Sequence, residues 1–157
     1  MKNLLVGQVR LGNVFLAENH KGEVVQRRVV GGLFGAVEKY FTIDLNGKLK
    51  SNARVTIEEV LEDYEIKAVS VCGLDTDDKT MYLPNDFDKV KIKRGIILGV
   101  LLDGELVYRE LVGGKQFDTT AWFAIDPETG LRKSKTTYEN TQEVMESYGD
   151  KIQFILA

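Results

Sequence analysis

The feature that most constrains this chain is that its second half repeats its first. Shifted by 82 positions, residues 22–44 (GEVVQRRVVGGLFGAVEKYFTID) lie over residues 104–126 (GELVYRELVGGKQFDTTAWFAID) with 10 of 23 positions identical. Average composition gives about one or two identities over such a stretch. A shift of 84 lays residues 56–67 over residues 140–151, and the two-residue change of offset falls in turns, where insertions are best tolerated. The pattern implies a tandem duplication, with residues 1–74 as a first unit, 75–88 as a polar connection and 89–157 as a second unit. A unit of roughly 75 residues buries proportionally little of its surface. The two units are therefore expected to fuse into one strand-rich α+β body with pseudo-twofold symmetry, each contributing four to five strands and one short helix.

Duplication lets each local signal be read twice. Asp103-Gly104 stands between two β-prone runs, the mark of a two-residue hairpin whose turn needs positive φ at both centre positions. The longer run Asn19-His20-Lys21-Gly22 occupies the same place in the first unit. Residues 41–44 (FTID) and 123–126 (FAID) alternate as half-buried strands, and the turn signals Asn46-Gly47 and 127–130 follow, each leading into a further strand. Thr56 with Glu59, and Asn140 with Glu143, have the spacing of a capped helix start. Val60, Leu61 and Tyr64 align with Val144, Met145 and Tyr148 as one apolar helix stripe. Closing strands are expected at 66–71 and 151–156, and extra strands at 4–10 and from residue 90 to 93.

Composition excludes several chemistries. Cys72 is the single cysteine and His20 the single histidine, which leaves no intramolecular disulfide, thiolate zinc site or histidine pair. No metal or cofactor is expected. The first residues hold only three consecutive apolar side chains before Gln8, too few for a signal-peptide core. The longest apolar run, residues 95–102, is far short of the roughly 20 residues a membrane helix needs. A cytoplasmic protein without membrane contact is the expectation. Charge is even between the halves, 10 basic and 12 acidic residues in 1–78 against 11 and 12 in 79–157, so no basic lobe marks a nucleic-acid footprint.

The candidate sites are few. Asp75, Asp77 and Asp78 begin like a calcium loop, but the sixth and twelfth positions hold Thr80 and Asp86 where glycine and glutamate belong, so a solvated acidic linker is favoured. Gly31-Gly32 and Gly113-Gly114, each following an arginine (Arg27, Arg109) four residues upstream, have the make-up of an anion cradle. They lead into a strand rather than a helix, and a bulge or tight turn is expected. Lys89, Lys91 and Lys93 would share one face of a strand, with Arg94 beside them; such a face can track phosphates, although edge strands also carry lysine to prevent aggregation. Cys72, ending an apolar stretch, reads as inert packing.

Tyr40 and Trp122 occupy equivalent positions and should point away from the face of Phe41, Ile43, Phe123 and Ile125. Either helices cover those rings or the rings anchor a partner. With no nucleophile–base, metal or phosphate motif in the chain, the leading expectation is a non-enzymatic protein that binds another macromolecule, a protein before a nucleic acid. Its candidate binding residues are Tyr40, Trp122, Arg27 and Arg109. Nucleic-acid binding through 89–94 is one alternative, and a small-ligand or catalytic pocket between the units is another.

Overall fold

A computed structural model describes residues 6–70, 78–134 and 136–157 of the chain. Strands β1 (Val14–Glu18), β2 (Val24–Phe34), β3 (Val37–Ile43) and β4 (Glu65–Ser70) form one antiparallel sheet in the order β3-β2-β1-β4. Strands β5 (Met81–Tyr82), β6 (Ile97–Leu102), β7 (Glu105–Gln116), β8 (Thr119–Ile125) and β9 (Ile152–Leu156) form a second, in the order β5-β9-β6-β7-β8. The helices are short: α1 spans Ile57–Val60 and α2 Thr141–Glu146. The protein is thus strand-rich α+β, and among the described residues no helix is long and apolar enough to cross a membrane.

The local signals act as the residues dictate. Asp103 and Gly104 take φ of 51° and 80°, and the β6–β7 hairpin closes on the pair Leu102 and Glu105. In the longer β1–β2 loop the Asn19 carboxamide oxygen accepts from the amides of Lys21 and Glu23, both at 3.0 Å. Thr56 Oγ1 accepts from the Glu59 amide at 3.1 Å and Asn140 Oδ1 from the Glu143 amide at 2.8 Å. Each cap contributes about 1 kcal/mol. Helices of one turn are not stable alone, so their apolar stripes must hold them to the sheets.

The inner faces of the two sheets share one core. Val30, Phe34, Phe41 and Ile43 from the first sheet pack with Val112, Ala121, Phe123 and Ile125 from the second, and Leu49 joins them. The rings of Phe34 and Phe41 each stand 5.2 Å from that of Phe123, the separation aromatic pairs prefer. On the outer face of the first sheet, Val60 and Leu61 close a cluster with Phe15, Val29 and Ile66. On the outer face of the second, Val144 does the same with Leu98, Leu111 and Ile155.

Several expectations are corrected. The segments after Asn46-Gly47 and after Gly130 are not further strands; they make isolated bridges and cross to the opposite sheet, where Lys48 bridges Gly113 and Leu131 bridges Gly31. Neither glycine pair forms a turn or bulge. Both lie inside long strands whose register with β3 and β8 is unbroken, and the shifts fall instead in β1 at Leu16/Ala17 and in β6 at Gly99/Val100. Gly31 and Gly113 take φ of 141° and 142°. Each accepts and donates across the sheets: Gly31 N–H donates to Gly130 O and Arg132 N–H to Gly31 O, while Gly113 N–H donates to Gly47 O and Leu49 N–H to Gly113 O.

Residues 89–94 are not a strand either. Pro84–Lys89 is a 3-10 helix with proline in its first turn, and the chain then runs without strand pairing to a turn at Arg94-Gly95, while Val90 and Ile92 pack on the second sheet's outer cluster. Lys89, Lys91 and Lys93 remain exposed because the apolar residues between them point inward. Of the expected 4–10 strand, Val6–Gln8 is a 3-10 turn and residues 4 and 5 lie outside the described residues. Cys72, Asp75 and Asp77 lie outside them too, and Asp78 sits in a turn. In the stretch expected as polar connection, Met81 and Tyr82 pair with β9, and Tyr82 and Phe87 pack on the second sheet's outer cluster.

Candidate functional site

Where the inner faces part beyond the shared core, they leave a cavity of about 560 Å³. Strand alternation builds its walls. Arg28 and Ile43, paired across β2 and β3, face it from the first sheet; Ile97 and Glu110, paired across β6 and β7, face it from the second. The turn after β3 adds Asp44, Leu45 and Asn46, and the turn before β6 adds Lys93, Arg94 and Ile96, with Lys79 beside them.

Its electrostatics are lopsided. Arg28, 4% exposed, has committed its guanidinium: Nε donates to Gly12 O at 3.0 Å, Nη2 donates to Pro127 O, and Nη1 lies 3.7 Å from Glu110 Oε1. Asp44 is likewise engaged, its Oδ1 accepting from the amides of Asn46 and Lys48 at 2.9 and 3.0 Å. Lys79 Nζ donates to Gly95 O at 3.3 Å and Arg94 Nη1 to Gly113 O at 3.4 Å. Among the described residues Lys79, Lys93 and Arg94 make no ion pair, so three cations border the cavity without a bonded carboxylate. Burial pushes the Glu110 carboxyl above the ordinary glutamate range, against the opposing pull of Arg28 and Lys79.

The residues singled out from sequence fall in different places. Tyr40 and Trp122 do point away from the inner faces, as alternation requires, but both are half-buried against the clusters that α1 and α2 cover. Because the sheets meet by their inner faces, the two rings lie on opposite sides of the body and form no common surface. Burial raises the Tyr40 phenol, and the Glu38 carboxylate adds to this. Trp122→Ala is expected to lower stability by about 2–3 kcal/mol, less than a fully buried ring would lose. Urea denaturation measures it, and unchanged stability would show that the ring packs on nothing.

Arg27 and Arg109 lie on the same outer faces. Each guanidinium donates to a carbonyl of its own strand, Gln26 O at 2.9 Å and Tyr108 O at 2.8 Å, while its buried Nε has no hydrogen-bond partner among the described residues. Tyr148, beside Arg109, has its phenol pushed up by burial, with the guanidinium opposing. Of the basic run, Lys89 is paired with Asp86 at 3.1 Å and Lys91 is exposed away from the cavity, whereas Lys93 and Arg94 line it.

Sequence reasoning missed Lys79, Arg28 and Glu110. One signal was present: Arg28 and Glu110 are superposed by the 82-residue shift, the single position in that stretch where opposite charges coincide. No family model, curated protein or solved structure matches the chain. Its function must be read from the cavity itself.

Proposed function

We propose that the chain is a non-enzymatic binding protein, built from two fused repeats, that holds an anionic small molecule between them. One observation carries the reading: Lys79, Lys93 and Arg94, which make no ion pair among the described residues, converge on a cavity walled by Ile43, Ile96 and Ile97. Small-molecule sites have this make-up, a largely apolar enclosure with few polar groups placed to orient the ligand. Cations at the rim attract the anionic head, and the isoleucines accept an apolar body. The repeat interpretation is supported by the common order of β1 to β4 and β6 to β9, the matched glycines and the matched helix caps. Its units are 1–74 and 89–157.

Benzenesulfonate, the anion of a strong acid and the bearer of a flat apolar ring, is a suitable probe. Arg94→Gln with Lys93→Gln is expected to weaken its binding by tenfold or more, about 1.4 kcal/mol or above, as measured by calorimetry. Equal affinity in the folded double variant would refute the assignment.

A protein partner on a strand face remains the second reading, on a different face from that of Tyr40 and Trp122. Leu101, Leu106 and Tyr108 are 42, 46 and 37% exposed on the inner side of the second sheet, where the first sheet does not reach. Contiguous apolar surface of this kind marks interaction sites. Leu106→Glu would abolish partner capture on that reading and leave sulfonate affinity unchanged.

A further inference from the structure

We propose that the cavity takes up its anion together with a proton, and that Glu110 receives that proton. The inference rests on the reading of the cavity as an anion site. Glu110 is paired in register with Ile97 on one side and Ile125 on the other, so its flanks are apolar, and its side chain is 15% exposed. Its ion-pair partner, Arg28 of β2, stands at 3.7 Å, beyond a hydrogen bond, and spends its other donors on the carbonyls of Gly12 and Pro127. Compensation of the carboxylate is therefore incomplete.

The charged groups around Glu110 come from every neighbouring element. Arg28 faces it from β2 and Lys79 from the segment before β5; Lys93 and Arg94 border the same space from the turn before β6, and Asp44 from the end of β3. An anion entering here places a second negative charge in a confined site beside a carboxylate that burial already disfavours. Like charges sharing such a site raise the affinity of one of them for a proton. Neutralising Glu110 also leaves Arg28 with charge to offer the ligand. Glu110 thus sets how much negative charge the cavity accepts.

The sign follows from linkage. A group that binds protons more tightly in the liganded state makes ligand affinity rise as pH falls, by up to about tenfold per pH unit across its titration. Calorimetry of benzenesulfonate with the full chain near pH 6, in Bis-Tris and in imidazole, separates proton uptake from binding heat, and both buffers are cations that do not compete for the site. The expected result is uptake of a fraction of a proton in the wild type and none in Glu110→Gln, which should bind several-fold tighter near neutral pH and lose its pH dependence. The one histidine, His20, sits in the exposed β1–β2 loop and is unchanged in this comparison. Binding without proton uptake, or uptake that persists in Glu110→Gln, overturns the inference and leaves the anion site standing; no binding at any pH overturns both. Should Glu110→Gln fail to fold, Lys79→Gln replaces it. Loss of that neighbouring cation is expected to move the midpoint of the pH–affinity curve upward, and an unmoved midpoint overturns the inference.

Discussion

Gly113→Ala is expected to lower the unfolding free energy by roughly 3–6 kcal/mol, combining a strained backbone with overpacking. At φ 142° an L side chain is poorly tolerated whatever the space around it, and here there is none: a Cβ would stand 2.2 Å from the Ala121 carbonyl oxygen and 2.6 Å from Trp122 Cα. Those atoms belong to the paired strand, so relief requires moving β8 and with it Phe123 in the shared core. Gly31→Ala should behave alike, since its Cβ would lie 2.2 Å from Lys39 O. With a shift of about 2–4 °C in Tm per kcal/mol for chains of this size, the loss should exceed roughly 6 °C in a thermal melt. Gly7→Ala, which meets nothing within 4 Å, is the control and should melt with the wild type. A Gly113→Ala melt within a degree or two of wild type would show that the strand conformation at this position is not the one described.

Arg28→Met carries the second largest effect. Methionine fits the stem's volume but strips the donors from two buried carbonyls and the cation from Glu110, and breaking a buried pair in this way costs about 3–5 kcal/mol. The loss should also depend on pH. Glu110 already binds its proton more tightly in the folded chain than in the unfolded one, and removing Arg28, which pulls the other way, strengthens that preference. A carboxyl of this kind is harmless while protonated and destabilises as pH rises from the ordinary glutamate range through its elevated folded value. The variant should therefore lie closest to wild type in acid and fall furthest behind near neutral pH. Chemical denaturation at several pH values measures the difference. A gap that is independent of pH would mean that Arg28 acts through its carbonyl contacts alone. Replacing Glu110 by leucine in the same variant should recover part of the neutral-pH loss, because an apolar pair leaves no charge to desolvate.

The parts legible in the sequence are those fixed by near neighbours. Asp103-Gly104 specifies its hairpin, Thr56 and Asn140 specify their helix starts, and alternation places Tyr40 and Trp122 opposite Phe41 and Phe123. The errors arise where distant chain decides. The glycine pairs suggested a bend because nothing local announces that another segment will lie against them. Residues 89–94 alternate like a strand, yet the 3-10 helix begun at Pro84 ends at Lys89, and the inward pull on Val90 and Ile92 gives the same alternation without strand pairing. The cavity was legible only as an open alternative, a pocket between the units, and of its charged residues only Lys93 and Arg94 stood out, as part of a basic run. Its charged wall draws on residues 28, 44, 79, 93, 94 and 110, which only the stacking of two sheets brings together.

The exchange of turns between the sheets bears on how the chain is made. Gly31 in the first sheet awaits the segment at Gly130 and Leu131, and Leu49 awaits Gly113, so the early sheet emerges from the ribosome with its inner face bare and its partners not yet synthesised. Pairings so distant in sequence form slowly, because the loop between them must close first. Val30, Phe34 and Phe41 stay open to solvent until the last third of the chain arrives. An inner face left bare during synthesis is open to aggregation, so the yield of this protein is expected to depend on chaperone supply and growth temperature.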